Sequence, residues 1–366
     1  MAICVEQMCG LSSRDAGTAM ARAFAAQGAQ CAVIPVGLSG GGAAAAIADI
    51  LDAPLDALVV TDDGTAELAV AGRRGMLLVN PRTDQELFEA GSALVGDAVA
   101  AALQSYPQIH DLIIDVGACT WHDGGAGFLG ALGAGADVAL DSGVSALGGL
   151  GVVDLRPALG LVGDRNLVLV GTNDEVDSPL TGLRGITSRL GTRDDLSLER
   201  QLGLDTALQH LVDACRRAGG RASGISRGGA AHGGLGFAVL TLGGRVQRGL
   251  EVCSELTGLP DTLRRADLIV TGCDELDFGR WDRTVVLEVA GMVHAETPVV
   301  AVARENHITA REVRSQLIEA AHSLRVEPAR SPGEAERLRV MDDITRAASS
   351  VAASWFPTAP GPSRRP

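Results

Sequence analysis

The order of apolar and polar positions predicts an α/β chain from its first residues. Ile3–Val5 is a short apolar run, and apolar residues then recur at helical spacing over Ser12–Gln27. Cys31–Val36 is a second apolar run, and helical spacing resumes over Ala43–Leu51 after a glycine loop. A strand–helix–strand–helix beginning is typical of a parallel sheet.

Residues 57–79 break this pattern. Ala57–Thr61, Glu67–Val70 and Met76–Val79 are β-like runs, and Asp62-Asp63-Gly64-Thr65 between the first two predicts a hairpin. An antiparallel element therefore interrupts the α/β pattern. The rest of the chain is predicted to contain helices at Ser92–Gln104, Phe128–Leu132, Ser197–Arg217, about Thr284–Ala295 and Glu334–Ser350, and strands at Asp111–Val116, Asn166–Gly171, Ala266–Thr271 and Thr297–Val302.

The simplest organisation of these elements is discontinuous. A Rossmann-like parallel-sheet domain uses residues 1–52 and 260–327, and a glycine-rich α/β domain is inserted between them as residues 53–259. A length of 366 residues fits two domains. Residues 328–366 form a C-terminal helix and a tail whose last ten residues include four prolines and two arginines, a composition typical of disorder.

Charge and composition exclude several classes of partner. The net charge is −14, which argues against nucleic acids and anionic membranes, and aromatic residues make up only 3%. No lysine occurs, so all 31 basic residues are arginine. Any phosphate must therefore be held by backbone N–H groups, a few arginines or a metal. The seven scattered cysteines form no C-x-x-C pair, and no membrane span or signal peptide is evident, so we expect a cytoplasmic protein with reduced thiols.

The first chemistry-bearing stretch is the glycine-rich loop 117–127. It follows a strand and precedes a helix, an arrangement that presents N–H groups to an anion, although close helix packing is the alternative. Residues 125–130 fit G-x-G-x-x-G, but eight residues separate this motif from Val116, so we exclude a dinucleotide site. His122 reads as a hydrogen-bonded loop residue. Asp123 fits a metal ligand and a helix cap equally well.

Three further stretches carry polar residues or glycines next to a predicted strand or helix. The acidic loop 174–182 comes directly after a strand and suits Mg²⁺ or a substrate hydroxyl, with a solvated turn as the alternative. The glycine loop 228–236 opens an apolar helix and has the composition of a phosphate cradle without a Walker lysine, with packing as the alternative. Asp277 follows the strand that ends at Thr271 and is a candidate base or metal ligand, with an exposed structural role at least as plausible.

Taken in order, these stretches resemble the bacterial, type I glycerate kinase family over most of the chain, from about residue 12 to 302. The stretches that carry the resemblance are Asp123-Gly124-Gly125-Ala126-Gly127, Val176-Asp177-Ser178-Pro179-Leu180-Thr181-Gly182, Ala231–Gly236, Gly249-Leu250-Glu251 and Ala266–Gly272. They are similar to the family's N-D-G-G-A-G, D-V-D-N-P-L-x-G, A-A-G-G-L-G, P-G-I-E and A-D-L-V-I-T-G.

The resemblance implies a two-domain α/β fold and ATP-dependent phosphorylation of D-glycerate with Mg²⁺. It implies catalytic roles for Asp123, Asp177 and Asp277, which would bring Mg²⁺ or polarise the acceptor hydroxyl, with Asp123 and Asp177 as the metal ligands. The residues expected to bind substrate or nucleotide are Gly124, Gly125, Gly127, Ser178, Thr181, Gly229, His232, Gly233, Gly234, Arg245 and Arg280.

The chain also departs from the family. Gln7-Met8-Cys9-Gly10 stands where the family has P-D-S-F-K-G, and residues 37–42 stand where it has A-D-G-G-E-G, so a lysine and several carboxylates are lost. The family's later lysine falls near Thr284. A non-catalytic binding or regulatory relative and a kinase of another small hydroxy acid therefore stay open as alternatives. The expected partners are small molecules, and a homo-oligomer is compatible with the sequence.

Overall fold

The computed structural model describes most of the chain, and its contacts divide into two compact units. The first unit comprises Met1–Leu38, Ala45–Ile50 and Leu250–Pro366, and the second comprises Ser39–Ala44 and Leu51–Gly249. The described residues are 1–53, 57–61, 64–71, 76–82, 91–116, 121–193, 196–277, 279, 284–294, 296–330 and 333–356. The predicted disordered tail lies outside them.

The first unit contains an entirely parallel sheet of five strands. They are β1 (Ala2–Val5), β2 (Ala32–Val33), β11 (Ile269–Leu276), β12 (Val299–Asn306) and β13 (Ala320–Ser323), in the spatial order β13-β12-β11-β1-β2. Strand β2 is much shorter than the predicted run Cys31–Val36, and Pro35 within that run has no N–H to give to a ladder. The chain leaves β1 towards one edge and β11 towards the other, and the carboxyl ends at such a switch point are where open α/β sheets generally bind ligands.

The helices of the first unit cover this sheet with an apolar core. They are α1 (Ser13–Ala25), α9 (Gly249–Thr257, whose first residue is assigned to the second unit), α10 (Leu259–Arg264), α11 (Val285–Gly291), α12 (Ala310–Ser315) and α13 (Glu334–Trp355). Helix α1 begins after Ser12, whose side chain accepts a hydrogen bond from the backbone of Asp15, as an N-cap does. Its buried face, which includes Met20 and Phe24, belongs to one core cluster with Ile344 of α13.

The second unit contains a mixed sheet of six strands. They are β3 (Ala57–Thr61), β4 (Gly64–Ala71), β5 (Met76–Arg82), β6 (Asp111–Asp115), β9 (Asn166–Gly171) and β10 (Arg245–Arg248), in the order β10-β9-β6-β5-β4-β3. The pairs from β10 to β5 are parallel, and β3 and β4 pair antiparallel as the hairpin signal predicted. Asp62 and Asp63 lie outside the described residues. Strands β7 (Gly135–Ala136) and β8 (Val153–Asp154) form a separate small antiparallel pair.

Among the described residues of the second unit there are six helices, and α2 (Gly42–Leu51) has residues assigned to both units. They are α3 (Ala93–Ser105), α4 (Ala126–Ala131), α5 (Arg156–Val162), α6 (Ile186–Arg193), α7 (Leu198–Arg217) and α8 (Leu235–Thr241), with short 3-10 turns at Val144–Gly149 and Ala231–Gly234. Their core includes the fully buried Trp121, Phe128 and Phe237. The predicted α/β class with parallel sheets is thus confirmed.

Two further observations concern the whole described chain. None of its helices is both long enough and apolar enough to cross a membrane, as judged over the described residues. Six cysteines are free thiols, namely Cys4, Cys9, Cys31, Cys215, Cys253 and Cys273. Burial raises the pKa of Cys4 and of Cys215 to about 12, so both thiols are protonated at neutral pH.

Candidate functional site

The carboxyl edge of the second unit's sheet gathers three of the stretches that the sequence singled out. Strands β6 and β9 end there, and loops 121–127 and 172–182 follow them. The glycine loop 228–236 joins both, because Gly124 donates its N–H to the carbonyl of Gly233 at 3.1 Å and Ala230 donates to that of Ser178 at 3.1 Å. The structure therefore brings together stretches that lie far apart in the sequence.

Asp123 is completely buried in this assembly. One carboxylate oxygen accepts hydrogen bonds from the N–H and the hydroxyl of Ser92, at 2.8 and 2.9 Å, and from the N–H of Gly127 at 3.1 Å. The other accepts from the N–H of Gly125 at 2.9 Å. Burial raises the pKa of Asp123, and these hydrogen bonds oppose the rise. The sequence predicted either a metal ligand or a helix cap at Asp123. The observed hydrogen bonds to the backbone at the start of α4 are those of a cap.

The neighbouring glycines allow unusually close packing. A Cβ on Gly125 would lie 2.5 Å from the Cβ of Ala238, and one on Gly234 would lie 2.4 Å from the Cα of Gly124. A Cβ on Gly127 would lie 2.6 Å from the backbone nitrogen of Ala93. A Cβ on Gly233 would meet a carbonyl oxygen at 2.1 Å, and one on Gly229 would meet backbone atoms at 3.0 and 3.1 Å. Each of these glycines thus has a packing role in the fold, whereas the predicted contacts with a nucleotide stay a prediction.

Asp177 and Ser178 lie in the loop after β9 and are contacted by three guanidinium groups. Arg227 bonds to one carboxylate oxygen of Asp177, and Arg248 lies 3.5 Å from the other. Arg189 donates to the hydroxyl of Ser178 at 2.6 Å. The hydrogen bond from Arg227 and the charges of Arg227 and Arg248 lower the pKa of Asp177, so its carboxylate is ionised at neutral pH.

Thr181 is buried a little further along the same loop. Its N–H donates to the carbonyl of Gly224 at 3.1 Å, and its hydroxyl lies 3.4 Å from Oε1 of Gln209. Gly182 next to it donates its N–H to Asp205 at 3.0 Å. These contacts anchor the end of the loop, so that Ser178 and Asp177 are held at the carboxyl edge by both of their flanks.

His232 is buried in the glycine loop with a left-handed backbone at φ 45°. Its Nε2 is 2.7 Å from the carbonyl oxygen of Val170, to which it donates, and 3.3 Å from the hydroxyl of Ser39. Its backbone N–H donates to Glu175 at 3.0 Å. Burial opposes ionisation of Glu175, but the charge of His232 and the hydrogen bonds from Thr172 and His232 outweigh it and lower the pKa. His232 therefore connects the glycine loop to the acidic loop after β9.

Sequence reasoning missed Asp115, the last residue of β6. Its buried carboxylate accepts hydrogen bonds from the N–H groups of Gly40 and Gly41 at 3.0 Å and of Ala44 at 2.8 Å. The loop that lost its own carboxylates relative to the family is thus closed by a carboxylate from another strand. The signal was available, because a carboxylate at the end of a predicted strand was the criterion applied to Asp277.

The carboxyl edge of the first unit's sheet carries a second polar group. Asp274 of β11 accepts a hydrogen bond of 2.6 Å from the N–H of Cys9 and lies 3.7 Å from the guanidinium of Arg304 on β12. Burial raises the pKa of Glu6, just after β1, to about 8. Asp277 directly follows β11 at this edge and is partly buried. Sequence reasoning found Asp277 and missed Arg304, because no local pattern connects β12 to the loop after β1.

Of the two predicted arginines, Arg245 does not join these groups. Arg245 is the first residue of β10, and its guanidinium contacts Asn166 at the start of β9 and Gln247 at 2.8 Å. The contact with Asn166 places it towards the amino end of the parallel strands, away from the loops that follow their carboxyl ends. Arg280 lies outside the described residues.

The available side-chain ligands determine whether the described residues could hold the expected Mg²⁺ ion. In the described part of the chain, no three His, Cys, Asp or Glu side chains are grouped so that they could hold a metal ion. Both oxygens of Asp123 are engaged by N–H and O–H donors, and those of Asp177 face two guanidinium groups. The described residues therefore do not fit a resident, protein-caged magnesium ion.

Comparison with known proteins agrees with the resemblance read from the sequence. The profile of the glycerate kinase family matches residues 9–356. A glycerate kinase of Bacillus subtilis (strain 168) is 27% identical over 370 residues, covering 94% of each chain. The glycerate 2-kinase of Escherichia coli (strain K12) is 26% identical over 254 residues, covering 67% of this chain and 64% of that one.

A solved structure extends the comparison to three dimensions. The crystal structure of a protein assigned as glycerate kinase 2 from Salmonella typhimurium LT2 covers 97% of this chain and 98% of its own, with a TM-score of 0.77. At 22% identity this likeness concerns the fold. The family profile, by contrast, spans nearly the whole chain. The chain therefore belongs to the glycerate kinase family.

Proposed function

We propose that this protein transfers the γ-phosphoryl group of ATP to a hydroxyl of D-glycerate. The observation that carries the proposal is the contact among the three family-matched stretches of the second unit, at residues 123–127, 176–182 and 231–236. The names of the relatives, glycerate kinase and glycerate 2-kinase, support glycerate as the acceptor. Ligands of open α/β sheets bind beyond the carboxyl ends of the strands, which is where these stretches lie.

The residues take the following parts in this proposal. The backbone N–H groups of the two glycine loops approach the nucleotide phosphates, and Mg²⁺ arrives as the counter-ion of ATP rather than as a resident ion. Asp277 accepts the proton of the attacking hydroxyl. Asp123 keeps the first loop in shape through its hydrogen bonds to Gly125 and Gly127. Asp177 positions the arginines that surround its loop.

The direct test is an assay of the purified full chain with ATP, Mg²⁺ and D-glycerate. We expect ADP release matched by a phosphoglycerate signal in ³¹P NMR. Absence of phosphoglycerate after hours would refute the proposal. Nucleotide binding by calorimetry without turnover would instead favour the non-catalytic relative, and phosphorylation of another acid from a panel of hydroxy acids would favour the other kinase.

A variant pair sharpens this test. Asp277→Asn should lower kcat by about a hundredfold or more while leaving ATP binding intact, because loss of a general base affects proton transfer and not nucleotide affinity. Asp267→Asn, at an exposed carboxylate before β11, is the matched control and should keep the wild-type kcat. Equal kcat values for the two variants would exclude Asp277 as the base.

A further inference from the structure

The ring of His232 has one nitrogen that the fold uses and one that it does not. Nε2 lies 2.7 Å from the carbonyl oxygen of Val170 and 3.3 Å from the hydroxyl of Ser39. A carbonyl oxygen only accepts hydrogen bonds, so Nε2 carries a proton and donates it to Val170. In the neutral ring the other nitrogen, Nδ1, then has no proton and is an acceptor. The contact with Val170 therefore fixes the tautomer of His232.

Nδ1 of His232 is unpaired and accessible. It has no hydrogen-bond partner among the described residues, since the contacts of the ring are made through Nε2. The fully enclosed side-chain atoms that lack a partner include Nδ1 of His122, but Nδ1 of His232 is not one of them. Although His232 as a whole is only 5% exposed, this nitrogen thus keeps some accessible surface.

The backbone of His232 is fixed on both sides of the residue. Its N–H donates to Glu175 at 3.0 Å, and its carbonyl oxygen accepts from the indole Nε1 of Trp121 at 2.8 Å. Its φ of 45° and ψ of 63° are left-handed, which strains any residue except glycine. Strain of this kind persists where the surrounding contacts impose it, and it is concentrated at functional sites. The ring is therefore held at one position in the glycine loop.

Two carboxyl groups lie near this ring, Asp115 at the end of β6 and Glu175 after β9. Burial acts to raise the pKa of each, and the charge of His232 acts to lower it, so both are close enough to interact with the ring. Asp115 accepts from backbone N–H groups such as that of Ala44, and Glu175 accepts from Thr172. Their negative charge repels a phosphate or carboxylate that approaches Nδ1 and attracts the positive end of an O–H dipole.

We infer that Nδ1 of His232 accepts a hydrogen bond from a hydroxyl group of a bound small molecule, and that His232 thereby determines specificity. Both substrates of the proposed reaction carry hydroxyl groups, on the carbon chain of D-glycerate and on the ribose of ATP. As a contact with either substrate, the inference rests on the proposed function. The sequence predicted that His232 binds substrate or nucleotide, but its tautomer depends on Val170, 62 residues earlier.

The experiment measures how much affinity is lost when a hydroxyl is removed from the ligand. Isothermal titration calorimetry of the full chain compares D-glycerate with D-lactate and 3-hydroxypropanoate, and ATP with 2′-deoxy-ATP and 3′-deoxy-ATP. We expect the wild type to bind one of these analogues about tenfold or more weakly than its parent, because the acceptor is left unpaired. The series in which the loss occurs identifies the substrate that is contacted, and the analogue identifies the hydroxyl.

Two substitutions separate the two nitrogens of the ring. The amide of His232→Gln reaches as far as Nε2, so this variant keeps a donor for Val170 and lacks an acceptor at the position of Nδ1. It should bind the parent and the analogue with equal affinity. The amide of His232→Asn lies at the position of Nδ1 and does not reach Val170. This variant should still discriminate between the two ligands, and urea denaturation should show that it is less stable than the wild type.

His110→Gln is the matched control. His110 is an exposed histidine of the same unit that precedes β6, at the opposite end of the strand from Asp115. This variant should discriminate between parent and analogue as the wild type does.

Several results would overturn the inference. They are a wild type that binds neither parent ligand or discriminates against no analogue, a His232→Gln variant that discriminates as the wild type does, and a His232→Asn variant that does not discriminate. The two proposals fail separately. Phosphoglycerate formation with discrimination that does not depend on His232 refutes this inference, whereas discrimination that depends on His232 without phosphoglycerate formation refutes the kinase activity.

Discussion

The carboxylate of Asp115, at the end of β6, accepts a hydrogen bond of 2.8 Å from the backbone N–H of Ala44, in the first turn of α2. The N–H groups of Gly40 and Gly41, both with left-handed backbone, donate to the same carboxylate. Burial raises the pKa of Asp115, while these hydrogen bonds and the charge of His232 oppose the rise. The protein's own anion thus fills a backbone cradle of the kind that binds phosphates elsewhere.

Removal of the Asp115 carboxylate should lower the stability of the protein, and an added small carboxylate should restore part of that stability. Asp115→Ala leaves three N–H groups, of which that of Ala44 is buried, without the buried carboxylate that accepts from them, so we expect the free energy of unfolding to fall by about 3 kcal/mol. Because the vacated cradle matches a small carboxylate, added formate or acetate should restore part of the loss. Urea denaturation measures both effects. Asp164→Ala, at an exposed aspartate of the same unit, should change stability by less than about 0.5 kcal/mol and show no rescue. Equal behaviour of the two variants would contradict the structural role of Asp115.

Asp123 should behave as a structural residue even if it also contributes to catalysis. Its carboxylate satisfies three backbone N–H groups and the Ser92 hydroxyl, so Asp123→Ala should lower the free energy of unfolding by about 3 kcal/mol or more. Asp123→Asn keeps the volume and one acceptor, so it should cost less. Thermal and urea unfolding report the difference. A variant that loses activity at wild-type stability would instead support the metal-ligand alternative.

Two glycine substitutions should have opposite effects. Gly234 has φ +98°, and a Cβ there would lie 2.4 Å from backbone of the first glycine loop, so Gly234→Ala should destabilise by about 2 to 3 kcal/mol. Gly203 lies exposed within helix α7, where a Cβ meets open space, so Gly203→Ala should stabilise by about 0.5 to 1 kcal/mol. Differential scanning calorimetry of both variants measures these changes in stability. Tolerance of alanine at Gly234 would mean that its role is not packing.

Because His122 is buried, we expect the protein to lose stability as the pH falls below neutral. This histidine is buried, its Nε2 meets the hydroxyl of Thr187 at 3.1 Å, and its Nδ1 has no hydrogen-bond partner among the described residues. Burial lowers its pKa to about 4, below the value of about 6.5 expected in the unfolded chain. The stability due to the neutral ring is therefore complete above pH 6.5 and is lost as the pH falls towards 4, at about 1.4 kcal/mol per pH unit.

His122→Asn should remove that dependence. The free energy of unfolding, measured by urea titration from pH 7 to 4, should fall less steeply in the variant than in the wild type. His294→Asn, on an exposed histidine of the other unit, is the control and should keep the wild-type slope. Parallel curves for His122→Asn and the wild type would show that the ring is not held neutral by burial.

Local patterns in the sequence were sufficient for most of the elements. Apolar runs located β9 at its observed bounds, and the hairpin signal located the antiparallel β3 and β4. The predicted helices Ser12–Gln27 and Ser197–Arg217 begin at the serines whose side chains cap α1 and α7. The strand at residues 31–36 was predicted too long, because apolar character there does not outweigh the missing N–H of Pro35. Strand ends and helix ends depend on partners that a local pattern does not contain.

For the candidate site, residue types and spacing identified the loops but not the contacts within them. Glycine composition is the same whether a loop cradles a phosphate or allows close packing, and the choice for Gly125 and Gly234 follows from what their missing Cβ atoms would meet. Likewise, the sequence around Asp123 fitted a metal ligand and a helix cap equally well. Only the position of Ser92, 31 residues earlier, brings its donors onto that carboxylate.

The sequence by itself determined the α/β class, the loops of the candidate site and the absence of lysine, because these depend on residue type and near-neighbour spacing. The tertiary structure decided which arginine side chains lie close to one another. Arg227 and Arg248 meet at Asp177, and Arg189 meets the adjacent Ser178, only because α6, the loop before residue 228 and β10 are packed around the end of β9. Electrostatic interaction depends on distance in space, and a distance between remote residues exists only once the chain has folded.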